Sequence, residues 1–262
     1  MSPSEGWWED NWESVHSDDS RESPQYYSGA LNDSLDRKDQ EDFESEDQKR
    51  FRLERAEQKR LERLIEIEEV LAGGLSLPRA DLRGASLNFS NFDGADLFCA
   101  NLSSSILDNS SFQFADLRGA NMYGVSLKNS NLSYARLDGA VLNSADLSRS
   151  DLFGAFLRNA KLRYANLGHS NLSHTFLNDA DLQEAKLQGV NFTFANLTNA
   201  KLLFVHLSNA DLSNADLSGA KLQGVNLRGA NLRNANLTGA VLRDVSLTGA
   251  DLTGATMPDE WH

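Results

Sequence analysis

From Leu77 onward every fifth residue is large and apolar: Leu82, Leu87, Phe92, Leu97 and so on, with no insertion, to Leu252 and Met257. A period of five fits neither the turn of a helix, about 3.6 residues, nor the two-residue alternation of a strand. The repeating unit is therefore a short extended piece plus a corner, and a chain built from such units has to coil. Two residues before each large side chain stands a small one, from Ala80 and Ala85 to Ala255, drawn only from Ala, Ser, Thr and Val. Residues two apart in an extended segment share a face. The small and the large residue thus point to the axis of the coil, while the other three positions of the unit, A(D/N)LXX, face outward.

The number of sides per coil follows from the exceptions, because residues stacked one coil apart touch and are matched in size. At a spacing of twenty, Phe92, Phe112 and Phe192 fall into one class and Ser90, Ser110, Ser130, Ser150 and Ser170 into a second. Val125, Val205, Val225 and Val245 make a third. A spacing of fifteen scatters them. Four sides of five residues make one coil, so the 180 residues from Leu77 to Met257 give about nine coils. At ~4.8 Å between adjacent strands the rod is about 43 Å long.

Stretches such as Ala210-Asp211-Leu212-Ser213-Asn214 match the motif of the pentapeptide-repeat family, which the chain resembles over residues 75–257. The resemblance implies an all-β solenoid, a right-handed quadrilateral parallel β-helix with the central Leu or Phe and the preceding small residue inside. The handedness comes from the resemblance alone.

The flanks obey different physics. Residues 1–45 are rich in Ser, Asp, Glu and Asn and poor in aliphatics, a composition that cannot offset chain entropy by burial, so a disordered tail is expected. Within it Trp7, Trp8 and Trp12 stand in acidic surroundings, either as a short partner-binding motif or as part of a tail that folds back on its own domain. Residues 46–74 turn to Glu, Arg, Lys, Gln and Leu, strong helix formers. Leu61, Leu64, Ile65, Ile67, Val70 and Leu71 make the second half of this helix apolar, and Gly73, Gly74 and Pro78 end it. A β-helix stops with unpaired backbone and an exposed apolar section, so the helix is expected to cap the first coil, with Leu75 at the rim. Residues 258–262 are too few for a second cap. Either Trp261 covers the last coil or that end stacks on a second copy as a homodimer.

Net charge excludes some partners. The chain carries −13, yet between Ala80 and Met257 there are 15 Asp plus Glu against 14 Lys plus Arg, so the repeats carry −1 and the flanks the rest. No apolar run is long enough for a signal peptide or a membrane span, and Cys99 is the single cysteine. A cytoplasmic protein that binds neither nucleic acid nor membrane is expected.

No catalytic, cofactor-binding or metal-binding residues are expected either. The row of Asp81, Asp96, Asp116, Asp146 and Asp151 is interrupted by Asn91, Asn101, Asn121 and Asn131 at equivalent positions. A side-chain oxygen that bonds the corner backbone explains both residue types, whereas proton transfer needs the carboxyl. Asp96 and Asp116 share a column with Arg136, with Arg118 alongside, which makes a neutralised ladder rather than an acid and base pair. His169, His174 and His206 share no column, and the glycines mark corners rather than a phosphate loop.

Outward aromatics are the informative exception, because outward sites are polar unless something covers them. Phe114, Tyr134, His174 and Phe194 share one outward column with Gly154 as its gap. Phe153 stands beside the gap, and Phe156 and Phe176 lie across the corner. This stripe is the candidate surface for a protein partner, and a rigid rod loses little entropy on docking. The resemblance implies an alternative, a DNA mimic that inhibits a type II topoisomerase (gyrase). The near-neutral repeats and the lack of projecting loops speak against it.

Overall fold

The computed structural model describes residues 76–259. The tail 1–45 with Trp7, Trp8 and Trp12, the helix over 46–74, Leu75 and Trp261 all lie outside the described residues. From Ser76 to Thr256 the second residue of each unit forms a parallel bridge with its counterpart twenty positions on, as in Ser76↔Asp96, Asp116↔Arg136 and Asn236↔Thr256. In one place the pairing widens into two short strands, β1 (Lys221–Gln223) and β2 (Val241–Arg243), which pair in parallel with Leu222 opposite Leu242. The twenty-residue register read from the sequence is the register of the fold.

The backbone accounting of one unit explains the motif. In 116–120 the Asp116 N–H bonds Ala95 O at 2.8 Å, Leu117 N–H bonds Arg136 O at 2.7 Å and Gly119 N–H bonds Asp138 O at 3.0 Å. Ala120 N–H closes the corner on Leu117 O at 3.1 Å. The remaining donor, Arg118 N–H, goes to the Asp116 carboxylate, Oδ1, at 3.2 Å. All five donors are then satisfied, as buried backbone requires, and Asp or Asn serves equally because only an acceptor oxygen is needed. In some units that lack that residue an oxygen one coil earlier takes over: Gln113 N–H bonds Asp93, Lys128 N–H bonds Asp108 and Arg158 N–H bonds Asp138.

Every corner from residue 79 to residue 254 holds the last residue of its A(D/N)LXX unit at φ between 54° and 74°. Where the three-residue-back hydrogen bond also forms, as from Ala120 N–H to Leu117 O, this is the type II geometry. Glycine is the natural occupant, yet 23 of these positions are not glycine. The glycines therefore mark only some corners, and the asparagines, aromatics and serines at the rest accept a strained conformation.

Inside, the large residues from Phe92 to Leu237 and the small residues between them are buried. Phe92 and Phe112 stack at 4.8 Å between centroids. The serine column is polar inside an apolar core because its hydroxyls bond backbone, Ser110 and Ser130 along the axis and Ser150 and Ser170 within their own corners. Ser110 Oγ accepts from Ser90 N–H at 3.1 Å and donates to Leu87 O at 3.0 Å. Ser130 Oγ does the same for Ser110 N–H and Leu107 O, at 3.2 and 2.8 Å. Two buried side-chain atoms lack a partner among the described residues, Arg163 Nε and Asn178 Oδ1.

Toward the C-terminal end the core thins. Leu242, Val245, Leu247, Leu252 and Met257 are only half-buried, and a cavity of about 480 Å³ opens there, lined by residues from Gly239 to Arg243 together with Pro258 and Asp259.

Candidate functional site

The coil register brings the outward aromatics into ring contact. Phe114 and Tyr134 stack at 5.2 Å with planes 1° apart. Tyr134 then meets Phe153 edge-on at 5.4 Å, Phe153 meets His174 at 5.2 Å, and His174 stacks on Phe194 at 5.1 Å. The result is one unbroken ladder of five rings. Gly154 is no gap in it: a Cβ there would lie 2.8 Å from Tyr134 Cε1, so the Tyr134 ring occupies the space that the missing side chain leaves. Phe153 crosses over from the neighbouring column, where its coil neighbours Ser133 and Ser173 are small and buried.

Across the corner Phe156 and Phe176 form a second stack at 5.1 Å and 6°. The Arg158 guanidinium lies over both rings, 5.3 Å from Phe176 and 5.9 Å from Phe156. Between ladder and pair runs a groove of about 380 Å³ lined by Tyr134, Phe153, Gly154, Phe156, His174, Thr175, Phe176, Phe194 and Asn196. All seven aromatic positions singled out in the sequence stand at this edge, and Phe114 and Phe194 keep 62% and 53% of their surface exposed.

Sequence reasoning missed two things here. Exposed aromatics are not confined to the edge: Phe89, Tyr123, Tyr164 and Phe204 are also exposed, on other columns, because corners tolerate any side chain that reaches solvent. Asn196 was missed as a lining residue. Its signal was present, since Arg136, Phe156 and Phe176 interrupt the column of Asp and Asn that resumes at Asn196.

The carboxylates are arranged as a charge ladder. Arg118 binds Asp116 through two side-chain hydrogen bonds, and Arg136 approaches the same carboxylate at 3.8 Å. The bonds from Arg118 hold the Asp116 carboxyl below its usual range, against the opposing effect of partial burial. Asparagine amides extend such ladders: Asn171 donates to Asp151 at 2.9 Å on another column, and Asn236 to Asp216 at 3.0 Å further along the Asp116 column. Among the described residues there is no cluster of three metal-binding side chains, and no helix long and apolar enough to cross a membrane.

Comparison with known proteins places this geometry. The family described as pentapeptide repeats matches in eight copies, over segments that run from residue 72 to residue 257. The crystal structure of HetL, a pentapeptide repeat protein involved in heterocyst differentiation regulation in the cyanobacterium Nostoc, is 32% identical. It covers 74% of this chain and 95% of its own, with a TM-score of 0.43. A pentapeptide repeat protein from the thylakoid lumen of Arabidopsis thaliana is 37% identical over 36% of this chain and 66% of its own, with a TM-score of 0.35. QnrB1, a plasmid-mediated fluoroquinolone resistance protein, is 24% identical over 72% of this chain and 92% of its own. Its TM-score of 0.54 is a likeness of fold. No curated protein matches the chain.

Proposed function

The chain belongs to the pentapeptide-repeat family, and on that premise we propose that it is a non-enzymatic cytoplasmic interaction protein whose aromatic edge docks a protein partner, to regulate or to scaffold it. The supporting observation is the continuous ladder from Phe114 to Phe194 with the groove beside it. Rings held by one another and by a rigid coil lose little freedom on binding, so the apolar contact is realised as affinity. Among the described residues no loop is longer than the corner of one unit, which leaves little room for a catalytic pocket.

Replacing Phe156 and Phe176 by alanine tests the reading. Affinity capture from the native organism with the full chain and with the double variant is expected to lose at least one specific partner in the variant. Retention of every partner would refute the role of the edge. Mimicry of DNA toward a type II topoisomerase is the second reading, and the repeat charge of −1 disfavours it. Inhibition of gyrase supercoiling at stoichiometric protein would reverse that order. We also propose a homodimer through the open C-terminal section, where half-buried Leu247, Leu252 and Met257 would be covered. Sedimentation that stays monomeric at high concentration would exclude it.

A further inference from the structure

The groove also carries information about the chemistry of its occupant. Its rings stack on one another with interplanar angles of 1°, 6° and 15° in the three parallel pairs. Each ring thereby gives one face to its partner, and Tyr134 and His174 meet Phe153 on top of that, so the middle of the ladder offers no open aromatic face. A nucleobase or a sugar ring, which binds by lying on an exposed aromatic face, finds no platform in the interior of such a stack. An aliphatic or aromatic side chain, packing against edges and filling a cleft, does.

Two donors stand beside the Phe156–Phe176 pair, Asn196 in the groove lining and Arg158 over the rings. Elsewhere in the coil an Asn amide at this position donates to the Asp or Asn one coil earlier, as Asn236 does to Asp216 and Asn171 to Asp151. At Asn196 the preceding residue of the column is Phe176, which has no acceptor. The Asn196 Oδ1 accepts from Thr198 N–H at 3.1 Å and from the Thr198 hydroxyl, and its Nδ2 has no partner among the described residues. Arg158, over the same Phe pair, makes no ion pair or side-chain hydrogen bond among the described residues; its backbone N–H donates to Asp138 at 3.2 Å and its carbonyl accepts from Gly139 N–H at 2.9 Å, which leaves the guanidinium free. No carboxylate lines the groove. The Phe156–Phe176 stack is therefore flanked by two free donors, one of them a cation with an apolar floor beneath it, which strengthens its bond to an anion.

Resting on the reading of this edge as a protein-docking surface, we propose that the groove takes a peptide segment in which an apolar side chain is followed closely by an Asp or Glu. The apolar group fills the cleft between ladder and pair. The carboxylate accepts from the Arg158 guanidinium and the Asn196 amide.

A displayed library of random dodecapeptides, selected on the full-length chain, tests this. Enriched peptides are synthesised and their binding is measured by fluorescence anisotropy against the native chain, Arg158→Glu, Phe156→Ser and Gly154→Ala, each checked for fold by circular dichroism. Enriched sequences are expected to pair an apolar residue with an acid, to weaken at least tenfold on Arg158→Glu and on replacing the acid by Lys, and to be lost on Phe156→Ser. Peptides lost on Phe156→Ser but free of acids, or indifferent to Arg158→Glu, would overturn the proposed chemistry and leave the docking edge standing. Peptides indifferent to both Phe156→Ser and Gly154→Ala, or no enrichment at all, would overturn both.

Discussion

Phe89 and Phe114 sit at equivalent corner positions, both at φ near 60°, but among the described residues only Phe114 has a ring partner. A bulky residue in this conformation costs about 1–2 kcal/mol relative to the right-handed region, and Asn tolerates it far better. Phe89→Asn should therefore raise the urea midpoint, by about 0.5–1 kcal/mol in stability. Phe114→Asn should not, because it also forfeits a ring stack worth about 0.5–1.5 kcal/mol. An equal rise in both would show that the ladder contributes nothing. The serine column offers a second contrast. Ser130 Oγ serves a backbone donor and a backbone acceptor of the preceding coils, while Ser150 Oγ bonds only Leu147 O of its own corner. Ser130→Ala should cost about 1–3 kcal/mol and Ser150→Ala about 1 kcal/mol less. Denaturant unfolding of the two variants reads the difference. Asp116 makes a pH statement. Its carboxyl is held below the usual range by Arg118, so its ionised form adds stability above the unfolded-state pKa, and this is lost as pH falls through the folded value. Asp116→Asn should be less stable than the parent at neutral pH, and equal to it in strong acid. A gap that persists in acid would assign the effect to packing instead.

At the scale of the five-residue unit, the motif is a solution to backbone accounting. Two side chains fill the core, one caps the fifth N–H, and two make the corner. This much was legible because it recurs: Leu, Ala and Asp or Asn declare their roles by position, and the twenty-residue register follows from size matching in the Ser and Phe columns. The corner strain was not legible. Aromatics, Asn and Ser interchange with Gly there, so residue identity hides a φ that is the same throughout. The ladder was readable as a column but not as a continuous stack, since Gly154 reads as a break in one dimension and serves as the seat of the Tyr134 ring in three. Gly154→Ala puts a Cβ 2.8 Å from Tyr134 Cε1 at φ +63°. It should cost about 1–2 kcal/mol and displace Tyr134 from Phe153, measurable as lost stability together with a shift of the Tyr134 ring resonances. Unchanged resonances would mean the ring does not rest there. Arg158 and Asn196 stayed hidden because their significance is a missing partner, which only coordinates reveal.

At the scale of the molecule, a coil without insertions turns sequence position into surface position, so that residues eighty apart, such as Phe114 and Phe194, stand on one edge. Function then depends on the register being kept, and a single slip would scatter the ladder over different sides. Cross-linking reads this directly. In a Cys99→Ser background, Phe114→Cys with Tyr134→Cys places two thiols one coil apart, at the strand spacing of ~4.8 Å and within the Cα range that a disulfide spans. Phe114→Cys with Asn129→Cys places them fifteen residues apart, where a four-sided coil puts them on neighbouring corners. Under mild oxidation the first pair should close nearly completely and the second should not, as judged by intact mass. Closure of the second pair in preference to the first would contradict the twenty-residue coil, and with it the edge.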